Sequence, residues 1–331
     1  MREVSSLAAL DRWIAAWLAH QRALGRAYDG EQWVLAHLRR SLASGTAADL
    51  DQAGFDRWCN SFGHLSANTR RTRQLVLRKF CLYRQRTQPD CFVPDPLYFV
   101  RQSPHKGPVI VAPDQVARML LVAGDLTPTV NSPLLPAVVR IAVILLYTCG
   151  LRRGEVTRLT MDDIEPKSGL LRIRASKFHK SRLVPLSSDA ANALRDYLRL
   201  RLATPFSSNP SEPLLCCGAR GHRSYSGGGL GDAIRRLFVA AKVYDAEGRL
   251  PRVHDMRHSF AVEALLRWYR EGADVQSNLP RLAMYMGHVS IVSTAHYLHF
   301  VPATREVASR RFEAAFGGLI GEVSPDRKSV V

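Results

Sequence analysis

A mainly α fold with a small β-sheet, divided into a helical N-terminal domain and an α+β domain behind it, is expected from three features of this sequence. The 331 residues exceed the ~150 of one average domain, so two cores are expected. Apolar residues recur at helical spacing through most of the chain. Two short β-type runs, GLLRIRA (169–175) and SRLVPL (181–186), flank a loop containing Lys177, His179 and Lys180, the layout of a hairpin.

Taken in order, the first helix is expected over residues 7–24, where Leu7, Leu10, Ile14, Trp17 and Leu18 form a stripe, and the second over 31–42 with Trp33, Val34, Leu38 and Leu42. A polar loop, 44–51, precedes a third segment holding Phe55, Trp58 and Phe62. The fourth runs from Ser66 to Arg86, with Leu75, Val76, Phe80 and Tyr83 on one side. It also carries Arg70, Arg71, Arg73, Arg78, Lys79, Arg84 and Arg86 and no acidic residue. Of these, Arg70, Arg71, Arg73, Arg78 and Lys79 are expected to meet a nucleic-acid backbone. Six prolines between Pro89 and Pro113 then interrupt the helical pattern. Further helices are expected near 114–124, 136–149, 188–202, 230–242, 256–271 and 302–316. The organisation expected is therefore an N-terminal domain over 1–100, a linker over 101–113, a second domain over 114–318 and a C-terminal tail over 319–331.

Composition excludes several classes. With 46% hydrophobic and 23% charged residues, the chain matches ordinary globular proteins and not disordered or rod-like ones. Its longest apolar run, Ile141 to Cys149, is about half of the ~20 residues a membrane span requires. Asp11 and Arg12 stand where a signal peptide would carry its apolar stretch, so a cytoplasmic location and no membrane partner are expected. Six cysteines without a CxxC pair indicate neither a disulfide framework nor a zinc ribbon. The positive signal is charge: a net +17, a pI near 10.1, and arginine as the dominant cation. Arginine pairs with phosphate through a planar fork, so a polyanion, nucleic acid above all, is the expected partner.

Three clusters could carry chemistry. In YTCGLRRGEVTRLT, Arg152 opens a helix and Glu155, three residues on, lies close enough to orient its guanidinium. In RVHDMRHSF, His254 and Arg257 share a helical face, combining a proton carrier near neutral pH with a fixed cation, which suits phosphate chemistry. His254 and His258 are also spaced for zinc, but Asp255 stands where an HExxH motif has its glutamate and no third ligand is near in sequence. In MGHVSIVSTAHYLHF, His288 is followed nine residues later by Tyr297, on an expected amphipathic helix; a tyrosine with a pKa of ~10 needs cationic neighbours and a base to act as a nucleophile. The glycines of SGGGLGD (226–232) fit neither GxGxxG nor a P-loop.

Together, CGLRRGE, SKFHKSRLVPL, HDMRHSFA and MGHVSIVSTAHYLH resemble, in order and spacing, the tyrosine recombinase (phage integrase) family. The likeness covers about residues 66–300. It leans toward recombinases of mobile elements more than the Xer type, because the 34 residues from His254 to His288 exceed the usual interval; Cys149, where the family commonly has Thr, is a small departure that packing is expected to absorb. The resemblance implies a core-binding (SAM-like) helical domain followed by a tyrosine-recombinase catalytic domain. It further implies a site-specific DNA recombinase or integrase that cuts and rejoins DNA through a 3′-phosphotyrosine, without metal, ATP or another cofactor. Tyr297 would be the nucleophile and Arg152 and Arg257 the phosphate clamps, with His288 a further donor. His254 would be the acid or base for the tyrosine hydroxyl, and Lys177 the acid for the leaving oxygen. Lys180 is the competing lysine or a DNA contact, and Glu155 supports Arg152. Double-stranded DNA would be the partner, bound as a homotetramer or with related recombinases, the terminal helix docking on a neighbouring subunit. The alternatives are a topoisomerase of type IB chemistry, an accessory DNA-binding protein with the fold but no cleavage, and a metal-dependent phosphodiesterase.

Overall fold

The computed structural model describes residues 7–44, 49–104, 106–165, 168–174 and 181–300. The expected hairpin tip with Lys177, His179 and Lys180, and the expected terminal helix over 302–316, lie outside these residues. The chain divides into two compact units between Lys106 and Gly107.

The first unit is built on α1 (Leu7–Ala23), α2 (Asp29–Ala43), α3 (Gln52–Asn60) and α4 (Ala67–Gln85). Side-chain caps set two of the helix starts: Asp51 accepts from the Gly54 amide at 2.7 Å and Ser66 from the Thr69 amide at 3.3 Å. Leu10, Trp17, Leu35, Leu38, Leu42, Trp58, Phe62, Leu77 and Phe80 fill the core, and Phe99, beyond the 3-10 turn Pro96–Tyr98, joins it. Two expected core residues lie elsewhere. Trp33 is 47% exposed, because α2 turns the arc Val34, Leu35, Leu38 and Leu42 inward; the Arg73 guanidinium, 4.5 Å from its ring centroid, covers part of the indole. Leu75 is likewise exposed, the buried arc of α4 running through Gln74, Val76, Leu77, Phe80, Cys81 and Arg84. Arg84 departs from the solvated charge run altogether. Its guanidinium is buried and binds both carboxylate oxygens of Asp49, at 2.9 and 2.6 Å, so the acid missing from the run is supplied by the loop before α3.

The second unit begins with Val109 and Val111 buried and α5 (Pro113–Gly124), and centres on α6 (Leu135–Thr148). α6 buries Val138, Val139 and every residue from Ile141 to Leu146, so the longest apolar run is the heart of this core. Among the described residues no helix is long and apolar enough to cross a membrane. After the short α7 (Arg153–Arg158) come β1 (Ile164–Glu165), β2 (Leu170–Ile173) and β3 (Arg182–Pro185), an antiparallel sheet in the order β1-β2-β3. Leu171 pairs with Val184, both buried, so the inward residues of the two strands share one face. Then follow α8 (Ser188–Leu202), the two-residue strands β4 (Cys216–Cys217) and β5 (Arg223–Ser224), and α9 (Gly227–Ala240). The long interval between His254 and His288 holds α10 (Asp255–Arg270) and α11 (Val275–Met286). α11 is capped by Asp274 and continues through Pro280. A single turn, α12 (Val292–Ala295), leads into a 3-10 turn, His296–Phe300, so Tyr297 stands on a 3-10 turn and not on the amphipathic α-helix expected.

Candidate active site

Arg152 stands at the N-terminal boundary of α7 with extended backbone, while Glu155 is in the first turn. Their side chains meet because the Glu155 carboxylate reaches back, accepting from the Arg152 amide at 2.9 Å and from its Nη1 at 2.8 Å. Arg182, the first residue of β3, completes the arrangement: its Nη1 and Nη2 donate to the two oxygens of Glu155, each at 3.0 Å, and its Nε to the Tyr285 carbonyl at 2.8 Å. One buried carboxylate thus holds two guanidinium groups from two elements. Burial opposes ionisation of Glu155, but the Arg182 hydrogen bonds, the Arg152 amide and the Arg152 side chain outweigh it and hold the carboxyl at about 2.

The C-terminal end of α11 fixes the second arginine. A helix end leaves carbonyls without intrahelical donors. The Met286 carbonyl accepts from Arg257 Nη2 at 2.6 Å and the Gly287 carbonyl from Arg152 Nη2 at 3.1 Å. Arg257 Nη1 also donates to the Gly150 carbonyl, so this guanidinium, 1% exposed, braces the turns before α7 and after α11. Both turns need glycine. Gly150 (φ +58) and Gly287 (φ +67) are left-handed, and an added Cβ would lie 2.4 Å from Phe260 Cδ1 in the first and 2.9 Å from Arg182 Nη1 in the second. Burial first, then the neighbouring Arg152, lowers the Arg257 pKa to about 10, leaving it cationic at neutral pH.

The Gly287 turn delivers His288. Its Nδ1 lies 2.7 Å from the buried Thr294 hydroxyl, and its ring stacks on Tyr297 at 6.1 Å between centroids. Tyr297 is 3% exposed, and its hydroxyl lies 3.1 Å from Nδ1 of His258 on α10. His254, expected to serve that hydroxyl, is instead one ring away, edge-on to His258 at 4.8 Å. The displacement follows from helix geometry: His254 precedes the first turn of α10, and His258, one turn further on, is the position facing the 3-10 turn. Burial, then His254 and the arginines Arg252 and Arg257 against an opposing Asp255, push His258 down to about 4. Burial, then Arg257, Arg152 and Arg182, push His288 to about 4. Both rings are therefore neutral at pH 7. Tyr297 is raised by burial, with Arg257 and Arg152 opposing, so it is a phenol and not a phenolate.

The structure thus brings together Arg152, Glu155, His254, Arg257, His288 and Tyr297. Beside them a cavity of about 500 Å³ is bordered by Arg152 and His254, and by Arg153, Arg235 and Arg252. The glycines of the 226–232 segment let Arg153 lie across the start of α9; a Cβ at Gly231 would sit 2.7 Å from its Nη1. Such a set of fixed cations and neutral imidazoles suits an anionic group beside the Tyr297 phenol. Among the described residues no group of three or more His, Cys, Asp and Glu is placed to hold a metal. Three contributors were not identified from sequence. Arg182 lies within the SRLVPL strand string, and His258 stands out in the sequence only through its zinc-like spacing from His254; either string signals a cation or an imidazole without its partner. Thr294 carries no sequence signal. In the first unit, Arg71 donates to the Val100 carbonyl at 3.1 Å, Arg78 to the Pro94 carbonyl, and Arg73 packs on Trp33 and Phe62. Arg70 is half-buried and Lys79 exposed.

Residues 112–303 match the model of the phage integrase family. The chain belongs to the phage integrase family. Every described member of the cluster, from Arg152 to Tyr297, lies inside the match. This integrase-family enzyme is 35% identical over 239 residues to a Sinorhizobium fredii protein named as an integrase/recombinase, y4rE, across 72% of this chain and 74% of the relative. A second S. fredii protein of that designation, y4rB, is 29% identical over 282 residues, 84% of each chain. Among solved structures, the Tn1549 transposon integrase in complex with circular intermediate DNA superposes with a TM-score of 0.63 at 18% identity, covering 92% of this chain and 99% of that one. The integrase fold is therefore shared with a mobile-element enzyme.

Proposed function

We propose that this enzyme is a site-specific DNA recombinase that breaks and rejoins DNA strands through a 3′-phosphotyrosine. The observation that carries the reading is the Tyr297 hydroxyl, hydrogen-bonded to a neutral imidazole beside two fixed guanidinium groups. Tyr297 attacks a backbone phosphorus and displaces the 5′-oxygen. The ester is conserved as a protein–DNA bond, so rejoining needs neither ATP nor a metal ion. Arg152 and Arg257 stabilise the charge that gathers on the non-bridging oxygens, already oriented by Glu155 and by the carbonyls of residues 150, 286 and 287. His288, held by Thr294, donates a further hydrogen bond, and His254 faces the phosphate from the rim of the cavity. Lys177, or Lys180 in its place, protonates the leaving oxygen.

The likeness to the transposon integrase, whose solved structure is a DNA complex, supports double-stranded DNA as the partner. So does the net charge of +17. In this reading residues 1–100 are a core-binding domain whose Arg70, Arg71, Arg73, Arg78 and Lys79 contact the DNA backbone, 101–113 the linker, 114–318 the catalytic domain and 319–331 a tail. Four copies, or this chain with related recombinases, act on two duplexes in the cytoplasm. The test is a denaturing gel of labelled DNA flanking the native gene, in excess chelator. The wild type is expected to form a covalent adduct and Tyr297→Phe none. An adduct with Tyr297→Phe, or none with wild type on intact and nicked DNA that it binds, overturns the proposal.

A further inference from the structure

The phenol proton of Tyr297 has to leave as the oxygen bonds to phosphorus, and the groups around that oxygen differ in their capacity to take it. Arg257 lies beside the phenol but its guanidinium has donors and no acceptor. His288 stacks at 24° to the phenol ring, and its Nδ1 is engaged by Thr294. His254 lies behind His258. His258 alone among these presents a ring nitrogen to the hydroxyl, at 3.1 Å.

From this geometry we infer that His258 is the catalytic base that accepts the Tyr297 proton, a role resting on the recombinase reading above. As the bond from the Tyr297 oxygen to phosphorus forms, the O–H pair becomes part of it and the proton passes to Nδ1, giving an imidazolium. The bond from phosphorus to the 5′-oxygen breaks with its electron pair, and that oxygen takes a proton from the hairpin lysine. In rejoining, the imidazolium returns its proton to the departing phenol. The groups facing His258 are His254, Asp255, Arg252 and Arg257 on and beside its own helix, and Tyr297 across from it. Their net positive field weakens the base in the empty site. A phosphate anion between Arg152 and Arg257 cancels part of that field, so His258 gains basicity when DNA arrives and Tyr297 stays unreactive without it.

The experiment measures single-turnover adduct formation on the DNA that the wild type cleaves, with either oxygen or sulfur as the bridging 5′ atom at the scissile bond. Asn at 258 places an amide near the Nδ1 position and can hold the phenol without taking a proton at neutral pH. His258→Asn and His258→Ala are expected to slow adduct formation equally, by about 10²–10³-fold. Their DNA affinity is expected to stay within about threefold. Both stay slow on the sulfur substrate, whose thiolate leaves without a proton, whereas Lys177→Ala recovers on it. The acid limb of the wild-type pH–rate profile is expected to vanish in His258→Asn; this limb also tests the assignment in the wild type if the variants do not fold. A His258→Asn rate within about threefold of wild type, recovery of either variant on sulfur, or an unchanged acid limb overturns the role of His258 alone. A wild type that forms no adduct overturns the recombinase reading and this inference with it.

Discussion

Replacing Glu155 by Gln removes the one carboxylate that joins Arg152 to Arg182 and keeps nearly the same volume. The Glu155 carboxyl sits at about 2 in the folded chain against an ordinary value of 4.5. That difference corresponds to about 3 kcal/mol of stability at pH 7. The sign follows from the lowered pKa: the contribution is complete above pH 4.5 and is lost as pH falls through 2. At pH 3 about 1 kcal/mol remains. Glu155→Gln also leaves two guanidinium groups, 25% and 11% exposed, without their shared anion, a change in the class that costs about 3–5 kcal/mol. Four of the five tryptophans lie in the first unit, so fluorescence would report the wrong core. Hydrogen exchange of the α6 amides reports the second unit directly. At pH 7 the variant is expected to exchange there on the order of 10²-fold faster through global opening. The gap between wild type and variant is expected to shrink by about 2 kcal/mol between pH 7 and pH 3. A gap that stays constant across that range refutes the ionised carboxylate as the source of stability.

Two further substitutions test the turn that delivers His288. Gly287→Ala strains a left-handed residue and drives a methyl toward Arg182, so a loss of about 1–3 kcal/mol by chemical denaturation is expected, with reduced cleavage; unchanged stability would mean that the turn relaxes freely. Thr294→Val keeps shape but removes the hydroxyl at 2.7 Å from His288 Nδ1. Stability is expected to fall by only about 1 kcal/mol. Single-turnover cleavage is expected to drop about tenfold, as a loosened donor would require; an unaltered rate would detach Thr294 from catalysis.

Much of the helical framework was legible because helices are written locally. The stripes that placed the first helix at 7–24 and the sixth at 136–149 differ from Leu7–Ala23 by one residue at the C-terminal end and from Leu135–Thr148 by one residue at each end. Local signals missed what depends on partners. Strand β1 has two residues, too few to show alternation, and exists because β2 pairs with it. Helix α11 was hidden by Pro280, tolerated inside a helix that buries Leu279, Leu282 and Met286 in a cluster with Val262 and Leu265 of α10. Trp33 and Leu75 read as core because periodicity identifies a stripe but not which edge of it the neighbouring helices cover.

The sequence by itself determined the chemistry available: arginines, imidazoles and one tyrosine in an order that resembles the phage integrases, on a chain with a net charge of +17. Those are properties of residue type and local spacing. Only the tertiary structure decided which groups touch. It gave Arg84 an acid 35 residues away, and it gave Glu155 a second guanidinium from β3, 27 residues on. It also set the Tyr297 hydroxyl against His258, 39 residues distant, and left His254 one ring behind. Spacing along a helix says which residues share a face. It does not say what that face meets, because that contact is fixed by packing between segments far apart in the chain.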